Sequence, residues 1–218
     1  MSLKVLVADD TSVVRLGLRT LLEAENGFQV VAEAGDGLTT VAMESELQPA
    51  LVVIGVSLPR LNGIEATRQI FARNGQARVL AISTSSDART AARVLRAGAL
   101  GYVLKQSPPD EILRAARAVA SGSTFLGSGV AEVLVQAYLK LVGTREIERH
   151  AELILTPRER EVLQLLAEGY STKAAAGVLN VSIKTAETHR KQIMDKLCLR
   201  SIAELTKYAI REGITGLE

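Results

Sequence analysis

Two hydrophobic patterns alternate along residues 3–120. Short runs rich in Val, Ile and Leu predict strands that are buried on both faces, at residues 3–8, 30–32, 50–54, 79–82 and 102–104. Apolar residues at helical spacing predict helices between and after these runs, at residues 13–24, 38–47, 64–72, 89–97 and 111–120. Five strand–helix repeats predict an α/β fold, a five-stranded doubly wound parallel sheet with helices on both faces.

The pattern changes after residue 121. Residues 122–129 are rich in Gly and Ser and predict a linker. A linker helix is predicted next from apolar residues at helical spacing, namely Val130, Val133, Leu134, Tyr138 and Leu141. This apolar stripe suits either its own domain or a second copy of the chain. We therefore divide the chain into residues 1–121, a linker over 122–152, and residues 153–218.

Capping signals mark where the helices begin. Ser107 is predicted as the N-cap of the helix over 111–120, with Pro108 in the first helical position. After Thr156 only helical patterns occur, and four start signals predict four helices: the capping boxes Thr156–Glu159 and Ser201–Glu204 and the N-caps Ser171 and Ser182. Two short helices joined by a brief turn inside such an all-α unit are typical of a helix-turn-helix.

Composition limits the class of protein. Apolar residues make up 47% of the chain, enough for a folded core. The single cysteine, Cys198, excludes a disulfide framework and predicts a small packed residue in a reducing cytosol. No secretory signal is recognised, and the longest apolar run, residues 51–58, is less than half of the ~20 residues of a membrane span. We expect a soluble, cytoplasmic protein with no membrane partner.

Positive charge is concentrated near the C-terminus. The whole chain has a net charge of only +2, but residues 182–211 hold seven Lys and Arg against three Asp and Glu. Lys184, Glu187, Thr188 and Lys191 share one face of the helix that Ser182 caps. Such a face is either solvated or suited to the DNA major groove, and the charge alone does not decide between them.

Residues 155–163, 169–173 and 181–185, followed by His189 and Arg190, resemble the LuxR-type helix-turn-helix of NarL/FixJ response regulators over residues 153–215. The resemblance implies double-stranded DNA as partner, a homodimer, and base-facing positions at Glu187, Thr188 and Lys191. It implies phosphate contacts from Thr172, Lys173, Ser182, Lys184, Thr185, Arg190 and Arg200. The alanines at 174–176 and the acidic Glu187 depart from the family pattern, and His189 is interpreted as structural.

A second group of residues lies at the predicted strand ends. Asp9 and Asp10 follow the first strand, Ser83 follows the fourth, and Lys105 follows the fifth, with Tyr102 inside it. Parallel strands gather such groups at one edge of the sheet. Over residues 3–121 the pattern is similar to CheY-like receivers, a flavodoxin-like fold. The resemblance implies a phosphoryl-accepting aspartate and Mg²⁺ bound by Asp9 and Asp10.

The phosphoacceptor position is occupied by Gly55. Glycine has no side chain, so it can neither accept a phosphoryl group nor bind a metal. A nearby hydroxyl, Ser57, is not used in receiver chemistry. Mg²⁺ binding is therefore weakened, no cofactor is certain, and a cognate histidine kinase is doubtful. Without a metal, Lys105 is expected to turn toward Asp9 or Asp10.

Several functions remain open at this stage. The favoured hypothesis is a sequence-specific DNA-binding regulator, not an enzyme, with a degenerate receiver that works without phosphorylation. The alternatives are a conventional two-component regulator in which an Asp-to-Gly change was introduced at position 55, and an interaction adaptor without DNA binding. A phosphatase-like Mg²⁺ hydrolase at Asp9 and Asp10 is a further alternative, but it lacks a nucleophile at the end of the third strand.

Overall fold

The computed structural model describes residues 2–143 and 155–216. Side-chain contacts of Tyr138 and Leu141, and residues 144–152 of the predicted linker, lie outside the described part. Two units are described below: an α/β unit, residues 2–126, and a helical unit, residues 155–216, with a helix from the linker packed against the first.

The α/β unit alternates strands and helices as predicted. Its elements are β1 (Leu3–Ala8), α1 (Ser12–Glu23), β2 (Phe28–Ala34), α2 (Gly37–Leu47), β3 (Leu51–Gly55), α3 (Gly63–Arg73), β4 (Val79–Ser83), α4 (Ala88–Arg96), β5 (Gly101–Leu104), α5 (Pro109–Ala120) and β6 (Phe125–Leu126). All strand pairs are parallel, in the order β2-β1-β3-β4-β5-β6. The predicted doubly wound parallel sheet is confirmed.

Both faces of the sheet are covered, which explains the continuous apolar sequences of the central strands. Val5 and Val7 of β1 face a layer formed with α1 and α5, whereas Leu6 and Ala8 face the layer formed with α2, α3 and α4. Every residue of β3 and β4 is buried. Because alternate residues on each strand enter opposite layers, both sets must be apolar.

The structure differs from the prediction next to β5. Residues 122–129 were predicted as a linker, yet Phe125 and Leu126 form a sixth strand that pairs with Gly101 and Tyr102. The edge of β5 has free backbone groups, and even two added residues satisfy some of them. The predicted N-cap Ser107 is also wrong by one residue, since Pro108 is the N-cap of α5 and Pro109 is its first residue.

The linker helix, α6 (Ser128–Gly143), begins directly after β6. Val130 is fully buried in the layer that contains α4, and Leu134 packs against the same layer. Val133 and Val135 are exposed. The start of the apolar stripe therefore packs on its own domain, which is one of the two alternatives that the sequence left open.

The helical unit consists of α7 (Pro157–Ala167), α8 (Thr172–Val178), α9 (Ile183–Leu197) and α10 (Ile202–Arg211). Both predicted capping boxes are present, and Ser171 and Ser182 accept from the backbone amides of Ala174 and Thr185 as N-caps. Val162 and Leu163 of α7 pack in one core with Ile193 of α9 and Leu205 of α10. The predicted four-helix arrangement is confirmed.

The prediction that Cys198 is packed is wrong. Cys198 is exposed and caps the C-terminus of α9 in the left-handed conformation, with φ of 54°. A residue that ends a helix in this conformation turns the chain away from the helix axis, which takes the thiol out of the core. Among the described residues no helix is long and apolar enough to cross a membrane.

Candidate functional site

The strand order brings the predicted receiver residues to one edge of the sheet. β1, β3, β4 and β5 are consecutive neighbours and all end at the same edge. Asp9 and Asp10 follow β1, and Gly55 ends β3. Ser83 ends β4, and Lys105 follows β5. We call these residues, with Tyr102, the receiver pocket.

The centre of the receiver pocket is an ion pair. Lys105 Nζ lies 2.7 Å from Asp9 Oδ2 and 3.7 Å from Asp10 Oδ1. Asp9 is completely buried, whereas the Asp10 side chain is about half exposed. The predicted turn of Lys105 toward the two aspartates is therefore confirmed. The ammonium compensates a carboxylate that has lost its hydration.

Burial dominates the protonation of Asp9. Loss of hydration raises its pKa above the ordinary value, while the hydrogen bond and charge of Lys105 and the Thr11 amide pull the pKa down again. The Thr11 amide donates to Asp9 Oδ1 at 3.1 Å. Asp9 is thus held by Lys105 and Thr11 and still favours the proton more than a carboxyl in water does.

The space beside Gly55 is filled by Asp9. A Cβ atom built on Gly55 would lie 2.7 Å from Asp9 Oδ2, closer than real Cβ atoms approach such neighbours. A side chain at position 55 therefore requires the Asp9 carboxylate to shift. Residue 55 and the ion pair compete for the same volume.

Tyr102 and Ser83 are fixed by hydrogen bonds on the other side of the pocket. The Tyr102 ring is fully buried, and its hydroxyl donates to the Ser85 carbonyl oxygen at 2.6 Å. Burial raises the pKa of this phenol. Ser83 Oγ accepts from the Ser85 amide at 3.1 Å. The hydroxyl and the aromatic ring are thus both tied to the β4–α4 loop.

The residues of the pocket do not fit a magnesium site. A cation would need the space between Asp9 and Asp10, where the Lys105 ammonium lies. Gly55 offers no third carboxylate, and no cluster of three potential metal-binding side chains occurs among the residues that the structure describes. Mg²⁺ prefers oxygen ligands in near-octahedral geometry, and here both carboxylates already face an ammonium group.

The predicted DNA-contacting residues lie on and around α9, which we call the recognition helix. Ala186 and Ile193 point into the core, and Lys184, Glu187, Thr188 and Lys191 are exposed. Four of the other predicted contacts are also exposed, namely Lys173, Ser182, Thr185 and Arg200. The remaining two, Thr172 and Arg190, are half-buried. The sequence pattern therefore assigned the outward face of α9 correctly.

Local hydrogen bonds order several of these side chains. Ser182 Oγ and Thr185 Oγ1 are 2.7 Å apart at the N-terminus of α9, and Arg190 Nη1 donates to Thr172 Oγ1 at 3.5 Å. His189 is half-buried, which fits its interpretation as structural. The first contact is local to the N-terminus of α9, and the second joins the middle of α9 to the first residue of α8.

The local positive charge is smaller than the sequence suggested. Lys196 Nζ donates to the buried Glu159 Oε2 at 2.7 Å and therefore braces α9 against α7. Burial alone would raise the pKa of Glu159, but the Lys196 hydrogen bond and the Thr156 amide lower it below the ordinary value. Lys196 is thus a structural residue, and nothing in its sequence spacing distinguished it from the surface lysines.

Polar contacts between the two units were not predicted. They involve Asn62 and Glu65 of the α/β unit and Arg160 and Gln164 of α7, separated by about a hundred positions in the sequence. A polar residue on an amphipathic helix is predicted to face water, so no local signal identified these four.

Comparison with known proteins identifies both parts of the chain. Residues 5–117 match the model of the response regulator receiver domain, and residues 153–209 match that of the bacterial regulatory proteins of the LuxR family. Transcriptional regulatory protein DegU of Brevibacillus brevis is 32% identical over 97% of this chain and 94% of its own. Oxygen regulatory protein NreC of Staphylococcus epidermidis is 34% identical over 97% of this chain and 99% of its own.

Solved structures show the same likeness. A LuxR-family two-component response regulator from Aurantimonas sp. SI85-9A1 is 34% identical with a TM-score of 0.62, covering 64% of this chain and 99% of that one. RcsB from Salmonella enterica serovar Typhimurium, solved bound to a promoter, is 27% identical with a TM-score of 0.60, covering 95% and 98%.

The Asp9–Lys105 ion pair gives a pH-dependent prediction. Because the pKa of Asp9 is raised in the folded state, its contribution favours folding below the ordinary carboxyl pKa and is lost as the pH rises through the raised value. Lys105→Met removes the compensating charge and raises the pKa of Asp9 further. We expect the free energy of unfolding at neutral pH to fall by about 2 kcal/mol and to recover partly on acidification.

Urea unfolding at a series of pH values, with carbon NMR titration of the Asp9 carboxyl, measures this effect. Lys4→Met is the matched control because Lys4 is exposed. A loss of stability that is the same at every pH would contradict the assignment of Lys105 to Asp9.

Proposed function

The chain belongs to the response regulators with a LuxR-type DNA-binding domain, which are transcription regulators, and we propose that it binds specific DNA sequences while its receiver works without phosphorylation. The observation that supports phosphorylation independence is the receiver pocket itself. Gly55 offers no acceptor, and Asp9 Oδ2, which is paired with Lys105, lies 2.7 Å from the position of a Cβ at residue 55. The pocket therefore differs by more than the missing side chain at position 55, because the Asp9 and Asp10 carboxylates are paired with the Lys105 ammonium.

Specific DNA binding is supported by the exposed face of the recognition helix. Thr188 and Lys191 are exposed on this face, and side chains of these types can hydrogen-bond to base edges when their helix lies in the major groove. Glu187 suits the amino group of a cytosine. Two solved relatives of the comparisons are described as RcsB–DNA complexes, so the same architecture binds DNA in another protein. The proposed partner is double-stranded DNA in the cytoplasm.

The proposal includes no catalytic activity, metal or cofactor. The Asp9 and Asp10 carboxylates share the Lys105 ammonium, and position 55 lacks a nucleophile, so a hydrolase at this edge has no reacting group. A cognate histidine kinase is not part of the proposal, since there is no acceptor for the phosphoryl group it would donate.

Thr188→Ala combined with Lys191→Ala tests the DNA contact. We expect affinity for a selected duplex to fall about tenfold to a hundredfold, with weaker discrimination between sequences and a salt slope smaller by about one. Fluorescence anisotropy at several salt concentrations measures all three. Lys4→Ala removes one exposed charge from the other unit and serves as control. Unchanged affinity and preference in the double variant would refute the assignment of α9.

Phosphorylation independence is tested with a small phosphodonor. We expect the DNA affinity of the wild-type chain to be the same with and without the donor, because no carboxylate at position 55 can be phosphorylated. The matched variant is Gly55→Asp. A gain of donor-dependent DNA binding in this variant alone would show that only the acceptor is missing. A donor response in the wild-type chain would contradict the proposal.

A homodimer on DNA is the expected assembly, because helix-turn-helix units bind half-sites about one helical turn apart. Two described surfaces suit it: the exposed Ile202 on α10, and Val133 and Val135 on α6. We expect sedimentation to give two protomers on each specific duplex. Saturation with a single protomer would exclude the dimer, and Ile202→Glu compared with Val135→Glu would identify the surface used.

A further inference from the structure

A set of buried polar contacts joins the two units. Gln164 of α7 is fully buried, and its Oε1 accepts from the Asn62 amide at 2.8 Å and from Asn62 Nδ2 at 3.0 Å. Its Nε2 donates to the Leu58 carbonyl oxygen at 3.0 Å and to Glu168 Oε1 at 2.7 Å. Every polar atom of this amide therefore has a partner, and three of these four bonds cross to the other unit.

Charged groups surround this amide. Arg160 Nε lies 2.6 Å from Oε1 of Glu65, which is almost completely buried. Gln69 Nε2 donates to Glu161 Oε1 at 2.8 Å. Charge-assisted hydrogen bonds in a partly dry interface are stronger and more directional than exposed ion pairs. These contacts fix the orientation of α7 on the first turns of α3.

A second group of contacts lies at the end of α10. Asn62 Nδ2 also donates to the Ile214 carbonyl oxygen at 3.3 Å, and Arg93 donates to the Glu212 carbonyl oxygen. Arg89 lies 3.5 Å from the Glu212 carboxylate. We call all the contacts of α7 and residues 212–214 with the α/β unit the interdomain contact. The helical unit is thus attached at two places, at α7 and at the residues that follow α10.

The interdomain contact is anchored on the β3–α3 loop, directly after the receiver pocket. Gly63 packs so tightly that a Cβ there would lie 2.1 Å from the Gly55 carbonyl oxygen. Arg60 takes the left-handed conformation, with φ of 64°, and its amide donates to Glu168 Oε2 at 3.3 Å. The loop that follows position 55 is therefore held from both sides, by the sheet and by the helical unit.

The recognition helix lies outside the interdomain contact. The contacts named above involve α7, its C-cap and residues 212–214, whereas Lys184, Thr188 and Lys191 are exposed with both units in place. The helical unit contacts the α/β unit through α7 and through residues 212–214, which follow α10. The Lys184, Thr188 and Lys191 side chains are exposed to solvent without any separation of the units.

We propose that the closed arrangement is itself the DNA-binding form, and that the receiver acts as a permanent support which orients the recognition helix. This inference rests on the proposed function. It differs from an autoinhibitory contact, in which opening would be needed before DNA could bind. With Gly55 and the Asp9–Lys105 pair, the pocket has no acceptor whose phosphorylation would drive such an opening.

A covalent link between the units provides the test. Cys198 is the only cysteine and is exposed, so a Cys198→Ser background allows one defined thiol pair. Gln69→Cys and Glu161→Cys place the two thiols at a contact of the interface. A short bismaleimide is expected to link them within one chain in the full-length protein. The control is the same double-cysteine variant treated with a monofunctional maleimide.

The linked protein is expected to bind the selected duplex with a dissociation constant within about twofold of the control. A loss of about tenfold or more on linking would show that the closed arrangement masks the DNA-binding face. Failure to form the link would show that the units do not stay closed. If the control does not bind DNA, the proposed function is wrong. The yield of the cross-link still measures how often the two units are in contact.

A charge reversal gives an independent measurement without cysteines. Arg160→Glu places two acidic groups together at Glu65, and adding Glu65→Arg restores an opposite pair. Faster limited proteolysis between the units is expected in the single variant and recovery in the double variant. DNA affinity is expected not to rise in the single variant. A tenfold gain that the double variant reverses would mean that the contact inhibits binding.

Discussion

A buried carboxylate has to be compensated, and in this protein the ion pair between Asp9 and Lys105 meets that requirement. The parallel sheet makes it possible, because neighbouring strands end at one edge and bring residues from β1, β3 and β5 together. At the same edge Gly55 contributes no side chain, so the Asp9 carboxylate occupies the free volume. Charge balance and packing at the pocket are therefore two aspects of one arrangement, in which Asp9 both pairs with Lys105 and lies beside Gly55.

The loop after Gly55 connects this pocket to the helical unit. In one direction Gly63 packs on the Gly55 carbonyl, and in the other Asn62 binds the buried Gln164. A change of conformation at position 55 would therefore alter the contacts between this loop and α7. The same loop also joins the two units, through the buried hydrogen bonds between Asn62 and Gln164.

Within the helical unit, charge has two separate roles that the sequence shows only as one cluster. Lys196 is bound to Glu159 and stabilises the packing of α9 on α7, whereas Lys184 and Lys191 point outward. Only the tertiary structure makes this division, because the packing of α7 against α9 is what places the Glu159 carboxylate beside Lys196. Lys184 and Lys191 therefore differ from Lys196 in their surroundings, and the net charge of the whole chain does not describe the charge of this surface.

Hydrophobic periodicity and capping chemistry determined much of this protein without the structure. They gave five strands, the helices between them and the four C-terminal helices, because both signals are local and repeat with the period of the element. The strand-end positions of Asp9, Ser83 and Lys105 followed from the same pattern. The assignment of Gly55 to the acceptor position is a prediction from the family resemblance.

Only the tertiary structure decided the rest. The two-residue strand β6 was missed because its existence depends on a free edge of β5, and Cys198 was misplaced because a left-handed helix end turned it outward. The contact of Asn62 with Gln164 joins positions 102 residues apart. Polar residues in such contacts look like solvent-facing residues in the sequence, since what buries them is another part of the chain.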